Sequence, residues 1–75
     1  MDIPKAVKDK AKELIDAFGE NFDDLGQYQG KRAFRFVFPK DSRTGFPYIY
    51  LYSERTKVVE EITGMMAMQI LSSIN

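Results

Sequence analysis

The chain contains no cysteine and no histidine. Disulfide staples, thiolate chemistry and the usual zinc ligands are therefore all missing. The nucleophile and base pairs built on those residues go with them, and no serine stands in a nucleophile elbow. Net charge is also lacking, since 11 Lys and Arg balance 11 Asp and Glu. A general binder of nucleic acid or of a membrane surface usually carries a basic excess, so a zero balance argues against both. No apolar run approaches the length of a membrane span or of a signal-peptide core, which makes no membrane and a cytoplasmic location the expectations.

Acidic residues that could do acid–base work or hold a hard cation come as sequence neighbours, Asp23 with Asp24 and Glu60 with Glu61. Neighbours on a strand face opposite sides, so these pairs do not converge in a cleft. No spaced Asp/Asn/Gly loop of the EF-hand kind is present either. The expectation is a protein that is not an enzyme, with no catalytic, cofactor-binding or metal-binding residues.

What is present is a strongly patterned centre. From Gly30 to Tyr52 the chain reads GKRAFRFVFPKDSRTGFPYIYLY, with Phe34, Phe36 and Phe38 alternating before a turn segment and Phe46, Tyr48, Tyr50 and Tyr52 alternating after it. A period of two marks strands whose successive side chains point to opposite faces. At 75 residues the chain is a single domain, 1–75, near the small end of what folds alone. A core of that size contributes only about 3–5 kcal/mol, so extra burial through self-association is worth weighing.

Asp2, Ile3 and Pro4 read as a helix start, with Asp2 as the cap. Ile3, Val7, Ala11, Leu14, Ile15 and Phe18 then make one apolar stripe, with Lys and acidic residues opposite, and Gly19 stands where the helix should stop. Leu25 to Tyr28 is a short strand candidate, and Gln29-Gly30 a two-residue hairpin turn. That turn pairs Tyr28 with Lys31, Gln27 with Arg32 and Leu25 with Phe34.

Pro39 to Gly45 forms the next loop, and Phe46 to Tyr52 the next strand. The loop lacks the glycine spacing and the strand-to-helix placement of a phosphate-binding loop. Lys57 to Ile62 supports two readings, a further strand or the start of the last helix. Its β-branched residues favour strand, and Gly64 would weaken a longer helix. Thr63 then caps a helix from Gly64 to Ile74 that is apolar around most of its circumference and must be covered on more than one side.

The hairpin from Tyr50 to Val59 resembles the closing hairpin of PepSY-type modules, but it lacks their usual glycine after Thr56, and no family is assigned on it. The fold class expected is α+β: an N-terminal helix, a three- or four-stranded antiparallel β-meander and a C-terminal helix, both helices on one face of the sheet.

Two helices on one side leave the other side open. If they cover Leu25 and the phenylalanines, the open face presents Tyr28, Arg35, Val37, Tyr48, Tyr50 and Tyr52. Tyr and Arg are enriched where proteins meet, so the expected function is a non-enzymatic protein-interaction domain using that aromatic face, with a homodimer as its simplest form. The register across the 39–45 loop is not set by the sequence. If the tyrosines share the core with the phenylalanines, Ala33, Arg35, Val37, Ile49 and Leu51 face outward instead. The alternative function is single-stranded nucleic-acid binding through Arg32, Arg35, Tyr48 and Tyr50, because basic and aromatic residues interleave there.

Overall fold

Gln29 and Gly30 have φ values of 52° and 77°, the two positive values that a tight two-residue hairpin turn of the I′ kind requires. The computed structural model, which describes residues 3–39 and 47–74, builds its first hairpin on that turn. Strand β1 (Phe22–Tyr28) runs into it and strand β2 (Lys31–Phe36) out of it. Tyr28 opposes Lys31 and Gln27 opposes Arg32, as the turn chemistry implies.

Farther from the turn the pairing departs from the expectation. The register shifts between Asp24 and Gly26, so that Asp24, not Leu25, opposes Phe34. This is a β-bulge, which places one extra residue on one strand. Gly26 takes φ 84° there, and its N–H donates to the Asp24 side-chain Oδ1 at 2.9 Å. The extra residue sends Leu25 to the opposite face, where it packs against the cluster around Ala33.

Strands β3 (Tyr48–Ser53) and β4 (Val58–Thr63) complete the sheet. The Lys57 N–H closes their connection by donating to the Ser53 carbonyl at 2.7 Å. The segment ending at Ile62 is therefore strand, and the last helix, α3 (Gly64–Ile74), follows it with no linker. Strand order is β1-β2-β3-β4, every neighbour antiparallel: a four-stranded meander. Phe46 and residues 40–45 of the loop lie outside the described residues. The first helix begins at Lys5 with Pro4, extended at ψ 141°, in the cap position, so the expected start with Asp2 as the cap is corrected.

The N-terminal helix comes as α1 (Lys5–Lys10) and α2 (Lys12–Phe18), divided at Ala11. The hydrogen-bond ladder nevertheless runs through, from Ala11 N–H to the Val7 carbonyl and from Ile15 N–H to the Ala11 carbonyl, both at 2.9 Å. The fold is α+β, with a helix at each end packed against an antiparallel meander.

The helices do not share a face. Phe34 opposes Tyr50 and Phe36 opposes Tyr48 across β2 and β3, so phenylalanines and tyrosines point the same way, and paired residues share a side. Val7 and Ala11 pack against this side, on Phe22, Phe34, Phe36, Tyr50 and Tyr52. The other side presents Ala33, Ile49 and Leu51, and there Ala67 and Ile70 of α3 pack. The expectation of both helices on one face is thus corrected: the sheet is apolar on both sides, and each side takes one helix.

Candidate interaction surface

Tyr48, Tyr50 and Tyr52 belong to the face under the N-terminal helix. Tyr50 is 0% exposed and Tyr52 8%, so neither is available to a partner as a surface residue. Tyr48 is half-buried and meets Phe38 edge-on with ring centroids 5.6 Å apart. The rings continue edge-to-face from Phe38 to Phe36 at 5.0 Å, from Phe36 to Phe22 at 5.3 Å and from Phe22 to Tyr50 at 6.2 Å. Offset and T-shaped contacts of this kind are the favoured aromatic geometries, which is how a small face accommodates so many rings.

Tyr50 carries a polar tip into this apolar layer. Its hydroxyl donates to Glu61 Oε2 at 2.7 Å, directly across β3 and β4. Burial, followed by that hydrogen bond, pushes its pKa well above the ordinary tyrosine value of 10.0. The group is therefore a satisfied core residue and donates, rather than accepts, at neutral pH.

Tyr28 and Arg35 lie on the α3 side, so the six residues Tyr28, Arg35, Val37, Tyr48, Tyr50 and Tyr52 are divided between two faces. Tyr28 packs at the margin of the α3-side core, while Arg35 is paired with Asp23 directly across the strands. Val37 follows β2, half-buried, with its N–H bonded to the Asn21 carbonyl at 2.8 Å. Arg32 points to the other face, 4.9 Å from the Phe34 ring centroid and within 3.8 Å of Asp24 and 3.9 Å of Glu54. The four residues that the nucleic-acid reading needs are thus split across the sheet, with both arginines beside carboxylates and Tyr50 buried.

The exposed apolar surface is elsewhere. Met65, Met66 and Met68 on α3 are 71%, 64% and 49% exposed, and Val58 at the start of β4 is 54% exposed. The sequence signal for this was the apolar circumference of the last helix. The sheet covers one side of it, through Ala67 and Ile70, and the methionines are left over. No side chain from Ile62 to Asn75 carries a charge.

A groove of about 260 Å³ lies beside Met66, lined also by Leu51, Ile62, Gln69 and Ile70. Along its rim Lys31 Nζ reaches over β3 to Glu60 Oε1 at 2.7 Å. Val58, Glu60 and Ile62 point to this same side, opposite Ser53, Leu51 and Ile49. The exposed Val58 is the next same-face residue of β4 beyond Glu60, which stands on the rim of the groove.

Among the described residues no three His, Cys, Asp or Glu side chains converge as they would to hold a metal ion. No helix among them is long and apolar enough to cross a membrane. Comparison of the chain with protein-family models, with curated proteins and with solved structures finds no match.

Proposed function

We propose that this domain works by contact, as a non-enzymatic protein-interaction module, and that its simplest working form is a homodimer joined through the uncharged side of α3 and the groove beside it. The observation that carries the reading is the exposure of Met65, Met66 and Met68 on one helix of a chain that has charges almost everywhere else. Methionine is flexible and polarizable and suits surfaces that repack on contact. Contiguous exposed apolar area on a small domain usually has a use.

Self-association fits this surface for an electrostatic reason. A two-fold dimer sets a patch against its own copy, so a patch of one net sign, or a charge on the axis, meets the same sign. The α3 side chains carry no charge and escape that penalty. An interface of ordinary size needs roughly 800 Å² from each copy, and an eleven-residue helix is only about 16 Å long. The contact must therefore also take in the groove and Val58.

Mass by light scattering over a concentration series tests this. The expected result is a shift from monomer to dimer within the micromolar range, reversed in a Met65→Lys, Met68→Lys double variant that stays folded. A strictly monomeric protein at high micromolar concentration would remove the homodimer.

A further inference from the structure

The two edges of the sheet are built differently. β1 is interrupted by its bulge and carries Asp23 and Asp24, which are devices by which edge strands resist further pairing. β4 has no such interruption. Its register with β3 is unbroken from Val58 to Thr63, it contains neither proline nor glycine, and Val58, Val59, Ile62 and Thr63 are β-branched. Helices pack on it from both sides, α1 on one face and α3 on the other. Its outer row of backbone groups meets no backbone partner among the described residues. A regular strand held on both faces, with its edge open, is a template for one more strand.

Charge decides which strand fits. Glu60 and Glu61 stand at the centre of β4, one on each face. A second copy added antiparallel with its faces matched must centre on a single residue, because directly opposed residues share a side. The two registers of greatest overlap centre on Glu60 or on Glu61, and each sets a carboxylate against its own copy. Lys57 does not relieve this, since its φ of 63° takes it out of the extended ladder. Glu60 already meets Lys31, whereas Glu61 accepts from the uncharged Tyr50 hydroxyl, so the penalty falls chiefly on the Glu61-centred register. Both carboxylates, being exposed, favour a strand with basic residues at its middle.

We infer that β4 is an acceptor edge for an extended segment of another protein, one with two adjacent Lys or Arg residues flanked by β-branched ones. Backbone hydrogen bonds to β4 give the affinity, and the two cations, one falling on each face beside Glu60 and Glu61, give the selection. The proposed dimer uses the α3-side faces of Val58, Glu60 and Ile62, whereas this inference uses the outer backbone edge of β4, and the first is tested by mass and the second by peptide binding.

The test is amide NMR of the intact domain titrated with the capped hexapeptide Thr-Val-Lys-Lys-Val-Thr. Two controls accompany it, the charge-reversed Thr-Val-Glu-Glu-Val-Thr and a lysine peptide N-methylated at alternate residues. The expected result is that amides of Val58 to Thr63 shift at about 1 mM lysine peptide and exchange more slowly with solvent. The charge-reversed peptide should bind roughly tenfold more weakly, and methylation of the amides facing β4 should abolish the shifts. The inference is overturned if no β4 amide responds, if the shifts fall on β1 or on the helices instead, or if the charge-reversed peptide binds as well.

Discussion

The two faces of the sheet solve the same burial problem in opposite ways. Under the N-terminal helix the sheet supplies the bulk, with Phe22, Phe34, Phe36, Tyr50 and Tyr52, and the helix supplies small residues, Val7 and Ala11. Under α3 the sheet supplies Ala33, Ile49 and Leu51, and the helix contributes Ala67 and Ile70. The contrast extends to the outer surfaces. Lys5, Asp9, Lys10, Lys12, Glu13 and Asp16 cover the solvent side of the N-terminal helix, whereas α3 shows methionines. One helix is finished against water and the other is not. The aromatic face accordingly has the larger buried side chains, and the aliphatic face carries the exposed methionines through which contact is proposed.

The largest expected effect tests the first half of that contrast. Phe34 is fully buried at the centre of the aromatic layer, so Phe34→Ala should cost about 3–5 kcal/mol, through lost transfer energy and the cavity left behind. On the opposite face Ile49→Val removes one methylene from an equally buried position and should cost only about 0.5–1.5 kcal/mol. Urea unfolding followed by circular dichroism measures both. A loss at Phe34 no larger than that at Ile49 would show that the aromatic layer is not the packed core described.

A smaller effect is expected at the bulge that separates the two edges. A Cβ at Gly26 would meet nothing within 4 Å, so the cost of Gly26→Ala is that of the positive φ alone, about 1–3 kcal/mol. Gly26→Asn should lose less, because asparagine tolerates that conformation better. If alanine proved neutral, the bulge would owe nothing to glycine.

Much of this architecture is legible in the residues themselves. The Gln29-Gly30 turn, the amphipathic N-terminal helix and the helix from Gly64 to Ile74 each follow from local chemistry, although the first helix starts at Lys5 rather than directly after Asp2. Two features depend on relations between distant residues. The register of β2 on β3 is decided across a loop, so alternation alone leaves open whether Phe34 and Tyr50 share a side. The bulge at Leu25 inverts one residue without interrupting the hydrophobic pattern. Both bear on the surface that function would use, which is why Tyr50 and Tyr52 read as exposed and prove buried. The better clue was the apolar circumference of α3, more than one side of one sheet can cover.

Tyr50 provides a probe specific to the aromatic face. Tyr50→Phe should cost about 1 kcal/mol at neutral pH, the net worth of a hydrogen bond whose acceptor can return to water. The pH dependence is more telling. A hydroxyl whose pKa is raised in the folded protein keeps its proton there and loses it from the unfolded chain. Its stabilising contribution is therefore complete below about pH 10 and falls as pH rises above that value. Wild-type stability should decline there with an extra slope approaching ~1.4 kcal/mol per pH unit, the equivalent of one proton. Urea titrations at pH 9 to 11 should show that slope absent from Tyr50→Phe. Parallel curves would place the hydroxyl in water.

The smallest effect on stability is expected at Met68, on the outer side of α3, and it is read against its neighbour Ala67. Ala67 and Met68 are adjacent in sequence, yet one is 0% exposed against the sheet and the other faces outward. Ala67→Lys would force a charged stem into the packed layer against Ile49 and Leu51 and should prevent folding or cost several kcal/mol, as burial of an unpaired charge does. Met68→Lys should change stability by no more than about 0.5 kcal/mol, as surface substitutions do, and should raise helix solvation without disturbing Ile70. A loss at Met68 approaching that at Ala67, in dilute monomeric protein, would mean that the methionine side is core. The unfinished face of this domain would then be a fold requirement rather than a place to meet a partner.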